Sequence, residues 1–182
     1  LDEAIECELE EVFKCETYAP GVASALRIDR NASECYVRAL AGIDLGDDVS
    51  IVLDCAHGAT AEVAPRLLRG RRVRVLGAPA DGARINVGGG ATNLTRLRSA
   101  VLESEAALGI AFDGDGDRCL LIAPDGSEVD GDQLLWLLVQ GSIEAGERPA
   151  GVVGTVMSNA GLEHALESAG VRFVRTPVGD KF

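Results

Sequence analysis

Short apolar runs alternate with segments of helical periodicity along most of this chain. Residues 49–54 form an apolar run of strand length, and the segment after it carries Val63, Leu67 and Leu68 at the spacing of one helix face. The alternation continues to residue 176. It predicts strands at 49–54, 72–76, 109–112, 118–123, 151–156 and 171–176, and helices at 59–69, 93–107, 131–145 and 159–169.

Strand–helix alternation of this kind is typical of α/β proteins. We expect a three-layer αβα domain with a mostly parallel mixed sheet, in which right-handed crossovers place helices on both faces. The Gly-Glu-Arg-Pro-Ala-Gly segment at 146–151 indicates a domain boundary. Only one β-α-β unit follows this segment, which is too little to close a hydrophobic core. We therefore expect a partial second α/β domain there.

The first part of the chain follows a different pattern. Acidic and apolar residues recur at helical spacing over 2–13, and a second helical segment covers 32–41. These patterns predict three parts: a helical lead-in at 1–44, an α/β domain at 45–147, and the incomplete start of the next α/β domain at 148–182.

Charge and composition exclude several classes of function. With 17 Lys and Arg against 29 Asp and Glu, the net charge is 17 − 29 = −12, so no basic stripe is available to neutralise nucleic acid or an anionic membrane surface. No apolar run reaches the ~18 residues that a membrane helix needs. The 5 cysteines form no C-x-x-C pair, which favours a reducing cytoplasm over a disulfide framework.

The clearest chemical signal is the sequence Asp-Gly-Asp-Gly-Asp-Arg directly after the predicted strand at 109–112. Asp113, Asp115 and Asp117 occupy alternate positions, and the glycines between them allow the backbone to curl so that all three carboxylates face one point. Such crowding is unfavourable without a cation. Oxygen ligands suit a hard cation, Mg²⁺ first and Ca²⁺ or Mn²⁺ next, so these residues are candidate metal ligands.

Three other kinds of loop could contain these residues. An acidic, solvated turn between two strands is the simplest. An EF-hand fails on spacing, because loop positions 6 and 12 counted from Asp113 hold Arg118 and Pro124 in place of Gly and Glu. A phosphatase-like D-x-D strand end fits better and would make Asp113 a covalent nucleophile. Arg118 either neutralises the acidic loop or holds a phosphate beside the metal.

A second segment at the end of a predicted strand carries weaker signals. In Asp-Cys-Ala-His-Gly-Ala-Thr at 54–60, Gly58 and Thr60 are expected to cap the following helix. His57 is expected to be structural or to face solvent. Cys55 and Cys119 lie beside predicted strands and are expected to be small core residues rather than nucleophiles.

The acidic loop, with Val-Asp-Gly-Asp-Gln at 129–133, resembles the α-D-phosphohexomutase superfamily, whose metal loop reads D-G-D-G-D-R. The resemblance covers about residues 20–182. Within the superfamily, the sequence is most similar to the bacterial phosphoglucosamine mutases. The further segments that carry the resemblance, in the family's order, are Leu53–Thr60, Ile85–Asn86, Gly90–Thr92, Gly154–Asn159, Gly161–Glu163 and Val178–Lys181.

The resemblance implies a four-domain, magnesium-dependent isomerase with its active site in a central cleft. It also implies that residues 1–44 hold the tail of the first domain and a linker, that 45–147 form the metal-binding second domain, and that 148–182 begin the third. Such enzymes interconvert glucosamine 6-phosphate and glucosamine 1-phosphate through a phosphoserine and a bisphosphorylated sugar, ahead of UDP-N-acetylglucosamine and cell-wall (peptidoglycan precursor) synthesis. By the same resemblance, Asp113, Asp115 and Asp117 bind Mg²⁺, Arg118 lies near the transferring phosphoryl group, and Lys181 approaches the sugar phosphate.

This chain departs from the family in what it lacks. None of its serines is followed by His-Asn-Pro, as the family's phosphoserine is, and it has no sugar-selecting Gly-Glu-x-Ser-Gly-His loop. We therefore expect a fragment with no mutase activity of its own, whose partners are a phosphosugar and the missing domains of the same protein; a homodimer stays open. The alternatives are a phosphomannomutase or phosphoglucomutase fragment, a non-catalytic metal-binding module, and a phosphatase-like hydrolase.

Overall fold

The computed structural model describes residues 2–15, 31–41 and 49–179. The chain divides into two compact units, Leu1–Glu34 and Cys35–Phe182. The first contains helix α1, Glu3–Lys14, which begins where the Asp2 carboxylate accepts a hydrogen bond from the Ala4 N–H at 3.0 Å. The apolar side chains Ile5, Leu9, Val12 and Phe13 of α1 are exposed.

The remaining elements follow the predicted order closely. Helix α2, Asn31–Leu40, spans the division between the two units. In the second unit the elements are β1 Ser50–Asp54, α3 Thr60–Leu67, β2 Arg72–Leu76, a 3₁₀ turn Gly90–Thr92, α4 Thr95–Ser104, β3 Leu108–Phe112, β4 Cys119–Ile122, β5 Glu128–Val129, α5 Gly131–Glu144, β6 Gly151–Thr155, α6 Ala160–Ser168 and β7 Arg172–Thr176.

Five strands form one mixed sheet in the order β2-β1-β3-β4-β5. Strand β1 pairs in parallel with both β2 and β3, whereas β4 and β5 each pair antiparallel with the preceding strand. Strands β6 and β7 form a separate parallel pair. The expectation of an α/β fold with a mostly parallel mixed sheet is confirmed. Strand β5 was not predicted, because two residues carry no detectable alternation.

Helices cover both faces of the five-stranded sheet, as the three-layer expectation requires. Successive residues of β1 point to opposite faces: Val52 packs against α4, and Ile51 and Leu53 pack on the side of α3. On the α4 side, Leu97 and Val101 are fully buried against β1, β3 and β4. The sheet therefore has a hydrophobic layer on each side.

A third hydrophobic cluster joins α5 to the β6–α6–β7 unit. Val139 of α5 is buried together with Leu162 and Leu166 of α6 and with Val171. Two caps define the ends of these helices: a reciprocal capping box between Asp130 and Gln133 begins α5, and the Asn159 side chain begins α6. Among the residues that the structure describes, no helix combines the length and hydropathy of a membrane span.

Leu97 and Leu102 lie on the same helix and provide a matched test of this packing. Leu97 is 0 % exposed and Leu102 is 49 % exposed. Leu97→Ala should lower the free energy of unfolding by about 2–5 kcal/mol, because it removes buried methyl groups and leaves a cavity. Leu102→Ala should cost less than about 1 kcal/mol. Urea denaturation measures both, and equal losses would contradict the assignment of the α4 core face.

Candidate metal centre

The acidic loop lies at the carboxyl end of β3, where the chain turns into the antiparallel strand β4. Asp113 is 1 % exposed, whereas Asp115 and Asp117 are open to solvent. One carboxylate oxygen from each lies within 4.8 Å of the others. The structure thus brings together the three residues that the sequence nominated, at the edge of the sheet where ligands bind in open α/β folds.

Arg118 closes the loop by contacting its first aspartate three times. The Arg118 backbone N–H donates to Asp113 Oδ1 at 3.1 Å, and Nε and Nη2 approach Asp113 Oδ2 at 2.7 and 2.6 Å. Nε also lies 3.4 Å from Asp117 Oδ1. The Arg118 side chain is nevertheless 65 % exposed, so its remaining donors face solvent beside the carboxylates. Arg118 therefore offsets part of the negative charge of the loop, while part of its guanidinium stays accessible.

The pKa values of Asp113 and Asp117 are shifted in opposite directions. Burial alone would raise the pKa of Asp113, but the backbone and side-chain hydrogen bonds from Arg118 outweigh it, so the pKa of Asp113 is lowered. The pKa of Asp117 is raised, first because the protonated carboxyl donates a hydrogen bond to Asp113, and then through desolvation and repulsion from Asp113 and Asp115. Negative charge is therefore crowded here beyond what Arg118 offsets.

The turn between β1 and α3 supports the acidic loop from below by direct backbone contact. The Ala59 N–H donates to the Gly114 carbonyl oxygen at 2.8 Å. A Cβ on Gly58 would lie only 2.1 Å from that same oxygen, so no larger residue fits. Thr60 also packs against the loop: its methyl group lies so close to Gly116 that a Cβ on Gly116 would be 2.6 Å from it. The segment at 54–60 therefore holds the acidic loop in place.

The structure contradicts two sequence expectations, the capping of α3 and the burial of Cys119. It also decides between the two expected environments of His57. Helix α3 begins at Thr60, and its N-cap residue Ala59 makes no side-chain hydrogen bond, so the expected capping by Gly58 and Thr60 is wrong. His57 is structural rather than solvent-facing: it is buried, and its Nδ1 lies 2.9 Å from the Pro79 carbonyl oxygen. Cys55 is buried as expected, and burial raises its pKa to about 11. Cys119, expected in the core, is exposed.

A buried ion pair near the loop was missed by sequence reasoning. Asp54, the last residue of β1, is 0 % exposed, and Arg96 of α4 contacts both of its carboxylate oxygens at 2.8, 3.0 and 3.2 Å. A charged residue at the end of an otherwise apolar strand was the available signal. The partner lies 42 positions later, and nothing in the spacing identifies it.

The donor set of the loop fits a hard cation. Three carboxylates from alternate positions converge, one of them held in place by Arg118, and oxygen ligands are those that Mg²⁺, Mn²⁺ and Ca²⁺ prefer. These three residues are the only such cluster among the described part of the chain. Lys181, expected near a sugar phosphate, lies outside the described residues, and its role stays a prediction.

Two family models match almost all of the second unit. The model described as phosphoglucomutase/phosphomannomutase, alpha/beta/alpha domain II, matches residues 34–126, and the model for domain III of the same family matches residues 130–182. The chain belongs to the phosphoglucomutase/phosphomannomutase family. The acidic loop lies within the domain II match, and Lys181 lies within the domain III match.

Relatives and solved structures agree with this family. The phosphoglucosamine mutase of Marinobacter nauticus is 46% identical over 193 residues, which cover 100% of this chain and 42% of that protein. This chain therefore spans less than half the length of the curated relatives it matches. A phosphoglucomutase/phosphomannomutase family protein from Burkholderia thailandensis has the same fold, with a TM-score of 0.77, 22% identity, and coverage of 97% of this chain and 39% of that one.

A third relative is a solved structure with bound ligands. It is the N-acetylphosphoglucosamine mutase of Aspergillus fumigatus, in complex with GlcNAc-6P and magnesium. Its TM-score is 0.58 at 19% identity, and the match covers 82% of this chain and 34% of that one. At this identity the likeness concerns the fold.

The opposite pKa shifts can be measured residue by residue. In a carbon-detected NMR titration, Asp113 should protonate below the usual aspartate range and Asp117 above it. A lowered folded-state pKa means that Asp113 contributes stability above its unfolded pKa, and this is lost as the pH falls through the folded value. Arg118→Gln should raise the pKa of Asp113, because its two side-chain contacts disappear.

Arg98→Gln is the matched control for this titration, since Arg98 pairs with Glu128 instead of the acidic loop. It should leave the titration of Asp113 unchanged. An Asp113 pKa that does not move in Arg118→Gln would contradict the assigned ion pair.

Proposed function

We propose that this chain is the metal-binding segment of a phosphoglucosamine mutase, which interconverts glucosamine 6-phosphate and glucosamine 1-phosphate. The observation that carries the proposal is the convergence of Asp113, Asp115 and Asp117 beside Arg118, in a chain matched over its whole length by phosphoglucosamine mutases. The chain covers 42% of such a relative, so the activity belongs to the longer protein. We expect no turnover from these 182 residues alone.

Mg²⁺ is the proposed cation. Asp113, Asp115 and Asp117 each offer a carboxylate oxygen, and an all-oxygen donor set suits this hard cation. The pKa of Asp117 is raised first by its hydrogen bond with Asp113, then by desolvation and by repulsion from Asp113 and Asp115. The closeness of the three carboxylates supports a cation here, because a divalent charge would relieve the repulsion among them. When bound, the metal supplies Lewis-acid polarisation and a template for the phosphoryl group.

Arg118 is proposed to contact the transferring phosphoryl group. Its Nε and Nη2 are engaged by Asp113, which orients the planar guanidinium, and most of the side chain stays exposed. Guanidinium groups bind phosphate oxygens through parallel N–H donors. Phosphoryl transfer depends mainly on positioning and on neutralising spread-out negative charge, which this residue is placed to do beside the carboxylates. Lys181 is proposed to approach the phosphate of the sugar.

Asp113 is proposed as a metal ligand rather than a covalent nucleophile. Its carboxylate lies in the cluster with Asp115 and Asp117 and is held by Arg118. The whole-length match to phosphoglucosamine mutases supports the mutase proposal over the phosphatase-like hydrolase.

The domain organisation is proposed as the tail of a first domain, a metal-binding α/β domain and the start of a third domain. The expected boundary at 147/148 stays a prediction. The packing of Val139 against Leu162 and Leu166 instead supports placing α5 with the β6–α6–β7 unit, and the two family models meet between residues 126 and 130. We also propose a cytoplasmic location, which the five cysteines support because they form no C-x-x-C pair.

Cation binding by this chain provides a direct test of the proposed metal site. Mn²⁺, observed by electron paramagnetic resonance and displaced by Mg²⁺, should bind at one site. Asp115→Asn should weaken binding about tenfold or more, because a charged ligand is lost. Asp115 is the appropriate choice, since no hydrogen bond of its side chain occurs within the described residues and the contacts of Arg118 would remain.

Asp125→Asn is the control for total charge. Asp125 lies in the turn between β4 and β5, where its carboxylate accepts hydrogen bonds from Ser127. Both variants change the net charge by one, but only Asp115 belongs to the cluster. Equal losses of Mn²⁺ affinity in the two variants would mean diffuse attraction to an acidic surface and would contradict the site.

A further inference from the structure

The buried pair Asp54–Arg96 occupies a space that glycine residues keep open for it. A Cβ on Gly77 would lie 2.6 Å from Asp54 Oδ1, and one on Gly89 would lie 2.8 Å from Asp54 Oδ2 and 2.3 Å from Arg96 Nη2. Arg96 extends from the first turn of α4, and its side chain is about one-third exposed while Asp54 is fully buried. The packing around the pair is thus specific to these two side chains.

Asp54 also connects the pair to the turn that follows β1. Its Oδ1 accepts a hydrogen bond from the Ala56 N–H at 3.1 Å. Ala56 and His57 both adopt left-handed conformations, with φ of 52° and 55°, which non-glycine residues seldom adopt and which cost free energy. The hydrogen bond from Ala56 to a charged carboxylate stabilises the first of them. The ion pair therefore helps to maintain a strained turn.

The strained turn ends at the contact with the acidic loop. Gly58 and Ala59 lie against the Gly114 carbonyl oxygen, and Gly114 separates Asp113 from Asp115. A change in the turn would thus be transmitted to the spacing of the first two carboxylates. Asp54 itself is not a member of the carboxylate cluster, and its oxygens are occupied by Arg96 and Ala56.

From this continuous set of contacts we infer that Asp54 and Arg96 are positioning residues for the metal loop. The inference rests on the proposed metal-binding function. The pair fixes the turn at 55–59, the turn fixes Gly114, and Gly114 sets the separation of the carboxylates. Stability alone would not require such a pair, because desolvating two charges costs about as much as their attraction returns.

The test compares Arg96→Lys and Asp54→Asn with Arg98→Lys in the 182-residue chain. Arg98 lies on the same helix as Arg96 and pairs with Glu128. Lysine at 96 keeps the charge but loses the planar fork that contacts both oxygens of Asp54. The readouts are the hydrogen-exchange rate of the Ala59 amide, the rate of an interior β3 amide such as that of Ile110, and the Mn²⁺ dissociation constant.

We expect Arg96→Lys to raise both the exchange rate of the Ala59 amide and the Mn²⁺ dissociation constant about tenfold, as loss of outer contacts does at metal sites. The hydrogen-exchange rate of the Ile110 amide should change less, because only the turn at 55–59 opens locally. Arg98→Lys should change neither the hydrogen-exchange rate of the Ala59 amide nor the Mn²⁺ dissociation constant. If Asp54→Asn fails to fold, Arg96→Lys still decides the question, because it retains a cation beside Asp54.

A purely structural role would give a different pattern. In Arg96→Lys, the hydrogen-exchange rates of the Ala59 and Ile110 amides would then rise by the same factor, or the rate of the Ala59 amide would not rise at all. Either result overturns the inference. If the unaltered chain binds no Mn²⁺, the proposed function fails, while the Ala59 exchange rate still shows whether the pair controls the loop.

Discussion

The geometry of the candidate site depends on the close backbone contact between Gly58 and Gly114. The Gly114 carbonyl oxygen accepts the Ala59 N–H at 2.8 Å and lies where a side chain at 58 would have to be. This contact supports the acidic loop from outside the loop itself, in addition to the contacts of Arg118 with Asp113. The strand ends of β1 and β3 lie side by side in the sheet, and the two turns that leave them support each other.

Electrostatics around this contact are arranged in two ion pairs with different consequences. Arg118 pairs with Asp113 on the exposed side, which lowers the pKa of a carboxylate that the proposed metal would share. Arg96 pairs with Asp54, whose carboxylate is fully buried and accepts hydrogen bonds from Arg96 and Ala56. One pair therefore belongs to the proposed chemistry, and the other maintains the scaffold beneath it.

The long helices, the central strands and the acidic loop could be predicted from the sequence, because each is determined by residues close together in the chain. Periodicity located the long helices and the central strands to within a few residues, and the alternate aspartates identified the loop. The two-residue strand β5 was lost because a pattern needs more positions than it has. The pair Asp54–Arg96 and the contact of Gly58 with Gly114 were lost for another reason: each joins segments more than forty positions apart, and a lone sequence does not reveal which distant residues meet. Gly58 was therefore interpreted as part of a helix cap.

The central claim is that Asp113, Asp115 and Asp117 hold one divalent cation on the surface that Arg118 borders. Crystals of this chain soaked in Mn²⁺, with diffraction recorded at a wavelength where manganese scatters anomalously, test it most directly. The account predicts one anomalous peak within coordination distance of all three carboxylates, with Arg118 still beside it. No peak at the loop, or peaks scattered over the acidic surface with none shared by the three aspartates, would contradict the account.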